Sequence, residues 1–187
     1  MASNVICGSL SGLLLVVLAY GVWVFNRLIT LRNRLREAWS GIDVQLKRRH
    51  DLVPNLVECV KGYQRHEHSL LESLARNRSA AEIPQGIAAT GSAENELTKN
   101  LRSFFAVAEA YPELKADQNF RQLSASLVEI EDTLQYARRF YNGTVRDLNN
   151  LVQSFPSLMV ANLFHFGSAE FFEVESATER QTPEVKL

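Results

Sequence analysis

The chain has 187 residues and a formal net charge of −1, with 46% hydrophobic and 22% charged residues. That length supports one domain with a real core, and the near-zero charge removes a global basic field for nucleic acid. Its two cysteines, Cys7 and Cys59, exclude a disulfide framework and a cysteine-ligated metal cluster; buried free thiols are expected.

The first predicted element is VICGSLSGLLLVVLAYGVWVF, residues 5–25, which contains no charged residue. As a helix it is long enough to cross a hydrocarbon layer of ~30 Å. No Lys or Arg precedes it and LVVLAYG offers no small-x-small cleavage site, so it reads as an anchor rather than a signal peptide. Arg27, Arg32, Arg34 and Arg36 come next against a single Glu37. This bias predicts a short external N-terminus over 1–4, a span over 5–26, and the rest of the chain in the cytoplasm. Tyr20, Trp23 and Phe25 suit the cytoplasmic interface. Within the span, Gly8 and Gly12 form a GxxxG spacing beside Ser9 and Ser11. Such a face lets two membrane helices approach closely, although small residues are also common in membrane helices generally.

From residue 28 the apolar residues keep the three-and-four spacing of helix seams. Leu28, Leu31, Leu35, Ala38, Ile42 and Leu46 form the first stripe, and Leu56, Val60, Tyr63, Leu70 and Leu74 the second. Leu97, Leu101, Phe104, Ala108 and Tyr111 form the third. The fourth runs from Phe120 through Leu127, Leu134, Ala137, Tyr141 and Leu148 to Phe155. Consecutive steps of four at Ala137–Tyr141–Val145 make a stutter, beside Asn142 and Gly143.

Breakers separate the stripes. His50-Asp51-Leu52-Val53-Pro54 reads as a corner, with Asp51 as N-cap and Pro54 in the first turn of the next helix. IPQGIAATGS, residues 83–92, is the next loop, with Ser92 as cap. Asp117 caps the last helix, and Pro156 closes it. The predicted fold is all-α: a single transmembrane helix continuing into an antiparallel four-helix bundle over 27–155, with helices near 27–49, 54–82, 92–111 and 117–155. A Phe-rich segment over 156–172 comes after it, carrying Phe164, Phe166, Phe171 and Phe172. Three placements are open to it: folded onto the bundle, on the membrane surface, or against a neighbouring subunit. Residues 173–187 are polar and read as a flexible tail.

The chain offers little catalytic chemistry. It contains no GxSxG, GxxxxGK[ST] or HExxH pattern. HEH at 66–68 is the tempting metal cluster, but residues two apart on a helix point about 200° apart, so His66 and His68 cannot share one ion. His66 or Glu67 instead suits a buried polar position on the seam, with simple exposure as the alternative. Lys47, Arg48 and Arg49 read as cations in the last turn of the first helix. No cofactor, metal or nucleic acid is expected.

Two blocks carry a resemblance. AWSGIDVQLKRRHDLVPNLVECVKGYQRHE, residues 38–67, and YPELKADQNFRQLSASLVEIEDTLQYARRFYNGTVRDLNNLVQSFP, residues 111–156, closely resemble the bacterial LemA family. The resemblance implies a membrane-anchored helical bundle without family-wide catalytic residues, and a family that includes a magnetosome-membrane branch. Cys7 lies too early in the apolar segment to serve as a lipoprotein cysteine. The expected function is therefore a non-enzymatic scaffold in the bacterial plasma membrane. Its expected partners are the lipid bilayer, copies of itself and other membrane proteins. The alternative is an adaptor or regulator of a membrane protease or envelope-stress system, acting as a monomer or small oligomer.

Overall fold

The computed structural model describes residues 2–61, 72, 76–79 and 86–172. Every regular element among them is a helix. They are α1 (Ala2–Lys61), α2 (Ile87–Ala108), α3 (Pro112–Ala116), α4 (Gln118–Gln153) and α5 (Ser157–Leu163).

The expected corner at residues 50–54 is absent, since α1 runs unbroken through Pro54 to Lys61. Proline inside a helix removes the N–H that would bond the carbonyl four residues earlier, here that of His50. The Arg78 guanidinium supplies the missing donor, its Nε lying 2.9 Å from the His50 carbonyl oxygen. The seam is continuous as well. After Leu46 the buried positions are Arg49, His50, Val53, Leu56, Val57 and Val60, so three-and-four spacing passes straight through the supposed break. Asp51 is an exposed mid-helix residue and caps nothing at a helix start.

The second helix start also differs from expectation. α2 begins at Ile87, so Ser92 lies inside it, and the capping position is Gly86 at φ 84°. That left-handed conformation suits a residue without Cβ. Asp117 does cap α4: its Oδ1 accepts the Phe120 N–H at 2.9 Å. The side chain thereby satisfies one of the orphan donors of the first turn. α4 ends at Gln153, and Phe155, expected to extend its seam, is 80% exposed.

The chain divides into two compact units. Among the described residues, one combines 2–41 with Arg139–Glu170, and the other 42–138 with Phe171 and Phe172. In the first unit, Val24, Leu28 and Leu31 of α1 pack with Leu148 and Val152 of α4 and Ala161 of α5. Trp39 meets Tyr141 with ring centroids 5.6 Å apart, so these parts of α1 and α4 run antiparallel. In the second unit, Val53, Leu56, Val57 and Val60 pack with Leu97, Leu101 and Phe104 of α2, Leu114 of α3, and Phe120 and Leu127 of α4. Each such leucine or phenylalanine contributes roughly 1.5–3 kcal/mol by leaving water.

Candidate functional site

The second unit holds a cluster of buried charge. Arg49, His50 and Glu94 are 2%, 7% and 0% exposed, and Arg138 is 6% exposed. Arg49 and His50 occupy successive seam positions of α1, where an apolar residue would ordinarily sit. Glu94 lies in the second turn of α2, which begins at Ile87. One carboxylate serves both neighbours. Glu94 Oε2 is 3.3 Å from Arg49 Nη1, and Glu94 Oε1 is 2.6 Å from His50 Nε2. A carboxylate only accepts, so His50 Nε2–H is the donor. Arg49 also reaches Glu131 Oε2 at 3.4 Å from the same Nη1 and donates from Nη2 to Thr98 Oγ1 at 2.8 Å.

Arg138 lies on α4 with its guanidinium carbon 5.0 Å from the centroid of the Phe172 ring. Its Nε and Nη2 have no hydrogen-bond partner among the described residues, and the same holds for Asn95 Nδ2. Burial pulls the pKa of Arg49 below its ordinary value, against the attraction of Glu131 and then Glu94. Arg138 is lowered in the same way, by burial first and against Glu131. Both guanidiniums nevertheless keep their protons, because arginine starts so far above neutrality. Arg49 thus faces two carboxylates, Glu94 and Glu131.

This arrangement positions helices. Removing either partner of a buried pair strands a desolvated charge. Sliding α2 along α1 by one turn would take Glu94 away from both Arg49 and His50. A cavity of about 180 Å³ beside the cluster is lined by Arg49, Thr98, Leu101, Arg102, Phe105, Leu127, Val128, Glu131 and Asp132. His50 and Glu94 lie outside that lining. Among the described residues, no group of three His, Cys, Asp or Glu side chains converges as a metal site would require. In the same unit, Cys59 Sγ lies 3.6 Å from Asp117 Oδ1. Burial, the hydrogen bond to Asp117 and its charge all push the Cys59 thiol pKa up, which disfavours the reactive thiolate.

The phenylalanines singled out in the sequence fall in both units. In the first, Phe164 and Phe166 meet Phe25 at centroid distances of 4.7 and 6.0 Å, and the Arg32 guanidinium lies 5.1 Å from the Phe166 centroid. The backbone just beyond is clamped to α4. Asn149 donates to the Ala169 carbonyl at 3.0 Å and accepts the Ala169 N–H at 2.8 Å. Tyr141 donates to the Glu170 carbonyl at 3.1 Å, and burial and then the Glu170 charge raise the Tyr141 pKa. In the second unit, Phe172 is fully buried while Phe171 is 42% exposed. Gly8 and Gly12 sit on an exposed part of α1, and a Cβ added at either would meet nothing within 4 Å. His66 and Glu67 lie outside the described residues.

The buried polar position expected at His66 or Glu67 therefore has counterparts that sequence reasoning missed, namely Arg49, His50, Glu94 and Arg138. Arg49, expected in a last helical turn, lies well inside α1. The available signal was the unbroken seam spacing from Leu46 to Leu56.

A family model described as "LemA family" matches residues 38–187. Curated relatives include Magnetosome protein MamQ 2 of Paramagnetospirillum magneticum, 24% identical over 180 residues, covering 82% of this chain and 66% of the relative. The chain thus spans just under two thirds of that protein's length. Magnetosome protein MamQ of Magnetospirillum gryphiswaldense is 22% identical over 190 residues, covering 86% of this chain and 70% of the relative. Protein LemA of Metamycoplasma hominis is 24% identical over 171 residues, covering 86% and 77% respectively.

Proposed function

This chain belongs to the LemA family, and from that footing we propose a non-enzymatic scaffold, anchored in a bacterial plasma membrane by α1 and self-assembling through helix packing. The observation that carries the reading is the apolar surface of α1. From Leu13 through Leu18 every side chain is at least 56% exposed, and Val22 and Trp23 are 62% and 59% exposed. α1 is long and apolar enough to cross a membrane by length and composition. Lipid is the solvent that matches such a face. The relatives' names, Magnetosome protein and Protein LemA, denote no reaction, which fits a role in organisation rather than chemistry. The arginines at 27, 32, 34 and 36 favour a cytoplasmic placement of the chain beyond the span.

Anchoring confines copies to a plane and raises their effective concentration, so weak lateral contacts become significant. The open Gly8/Gly12 face is suited to such a contact. Light-scattering mass of the full chain in mild detergent tests the assembly. The intact protein is expected to form a homogeneous multi-subunit species, and Gly8→Ile/Gly12→Ile a smaller one. A full chain that stays monomeric over a wide concentration range overturns the scaffold and favours an adaptor for a different membrane protein.

A further inference from the structure

Two uncharged stretches of sequence meet in the first unit. Residues 5–26 contain no Asp, Glu, Lys or Arg, and neither do residues 148–169, which lie between Asp147 and Glu170. Charged residues make up 22% of the chain, so two such stretches in contact call for a common cause. Their contact is direct, because Val24 of the first shares a core with Leu148, Val152 and Ala161 of the second.

The antiparallel register sets the level of that contact. Trp39 lies opposite Tyr141. Moving toward the apolar run, Val24 and Leu28 share their cluster with Val152, so α4 reaches its last turn where the apolar run of α1 ends. The first charges bordering the two stretches, Arg27 and Asp147, line one groove with Trp23, Asn150 and Ser154. That groove brings the charges that border the two stretches onto one side of the helix pair.

At this level the chain reverses and α5 lies against α1. Its inner face is fixed, with Ser157 and Ala161 buried, while Phe164 meets Phe25. Its other face carries exposed Met159 and Leu163, with exposed Phe155 in the turn before it and Phe164 half exposed at its end. Phe155 is 80% exposed, Met159 65%, Leu163 70% and Phe164 51%. Met159 and Leu163 are four residues apart and share one side of the helix. Single exposed apolar residues need no explanation, but a contiguous group rimmed by polar residues marks an interaction surface.

We infer that residues 155–164 form a membrane-surface foot, in which Phe155, Met159, Leu163 and Phe164 enter the boundary between headgroups and acyl chains of the bilayer that α1 crosses. The inference rests on α1 being a membrane anchor. Lipid is the occupant because the bare face belongs to a segment held against Val24 and Phe25, where the uncharged apolar run of α1 ends. Burial of apolar side chains at the interface is how short amphipathic segments hold a membrane. A single spanning helix is free to rotate about the membrane normal. The foot would give the first unit a second point of attachment and a defined rotational setting.

Site-directed nitroxide labelling of the full chain tests this, in Cys7→Ser/Cys59→Ala protein reconstituted into phosphatidylethanolamine/phosphatidylglycerol vesicles. Labels at Phe155→Cys, Met159→Cys and Leu163→Cys are compared with Val16→Cys in the apolar run and Arg146→Cys on the exposed side of α4. The expected result is oxygen-dominated relaxation at 155, 159, 163 and 16, shallower at the first three, and nickel-chelate-dominated relaxation at 146. If Val16→Cys behaves as a lipid position while 155, 159 and 163 respond to the nickel chelate, the foot is wrong and the anchor stands. Labels at 155, 159 and 163 closed to both relaxants would mean that protein covers this face, which overturns lipid as the occupant. A nickel-accessible Val16→Cys overturns the anchor, and the foot with it.

Discussion

Both units draw on α1 and α4, yet their interiors differ. Between α1 and α4 the first unit has a dry seam of Val24, Leu28, Leu31, Leu148 and Val152. The second buries Arg49, His50, Glu94 and Arg138 beside its apolar core. An apolar seam stabilises strongly but discriminates weakly between registers, because one leucine replaces another with little loss. A buried carboxylate shared by two partners discriminates strongly and stabilises little overall, since desolvation offsets the attraction. Burial and alignment are thus separate tasks. In the first unit, backbone clamps from Asn149 and Tyr141 to Ala169 and Glu170 hold the returning chain in place, so no buried charge is needed there.

The largest effect is expected at Glu94. Glu94→Ala leaves Arg49 and His50 without their shared carboxylate, and is expected to destabilise by about 3–5 kcal/mol. Thermal unfolding of the full chain in mild detergent, followed by circular dichroism, measures this. A change below about 1 kcal/mol, the level of a surface substitution, would mean that the cluster is not the buried network described.

Arg138 tests the contrast between the units in the opposite direction. Its Nε and Nη2 are buried without partners among the described residues, so Arg138→Met exchanges a desolvated cation for an apolar side chain of similar length. The expected effect is neutral to mildly stabilising, because burying an unpaired cation is costly and no hydrogen bond at Nε or Nη2 is lost. Strong destabilisation in the same melt would assign Arg138 an essential pairing role with Glu131.

A smaller effect than at Glu94 is expected at the proline. Arg78→Ala strips the His50 carbonyl of its donor and is expected to cost about 1–3 kcal/mol. In a Pro54→Ala background the helix itself regains an N–H for that carbonyl, and the same Arg78 substitution should cost less. The double-mutant cycle measures the coupling; strict additivity would show that Arg78 does not compensate for Pro54.

The smallest change is predicted in the first unit. Phe155→Ser alters a side chain that is 80% exposed and should leave stability in detergent within about 0.5 kcal/mol. A large loss would place Phe155 in the protein core, as the seam spacing of α4 suggests.

The helical class, the apolar span and the Asp117 cap are legible in the chain alone. Each depends on residues within a few positions of one another, through a 3.6-residue period or a side chain reaching its own helix's first turn. Leu28, Leu31, Ala38, Ile42 and Leu46 are legible as a buried stripe for the same reason. The fate of Pro54 needed tertiary contacts, because the donor that replaces its missing N–H comes from Arg78, 28 residues away from His50 along the chain. The pairing of Arg49 with Glu94 spans 45 residues, and no local rule distinguishes a cation on a solvated turn from one buried against a distant carboxylate. Phe155 shows the converse. Local spacing assigns it to the seam, but α4 stops at Gln153 and the side chain is left exposed. Periodicity records which face of a helix is apolar, whereas packing decides where the helix ends and what meets that face.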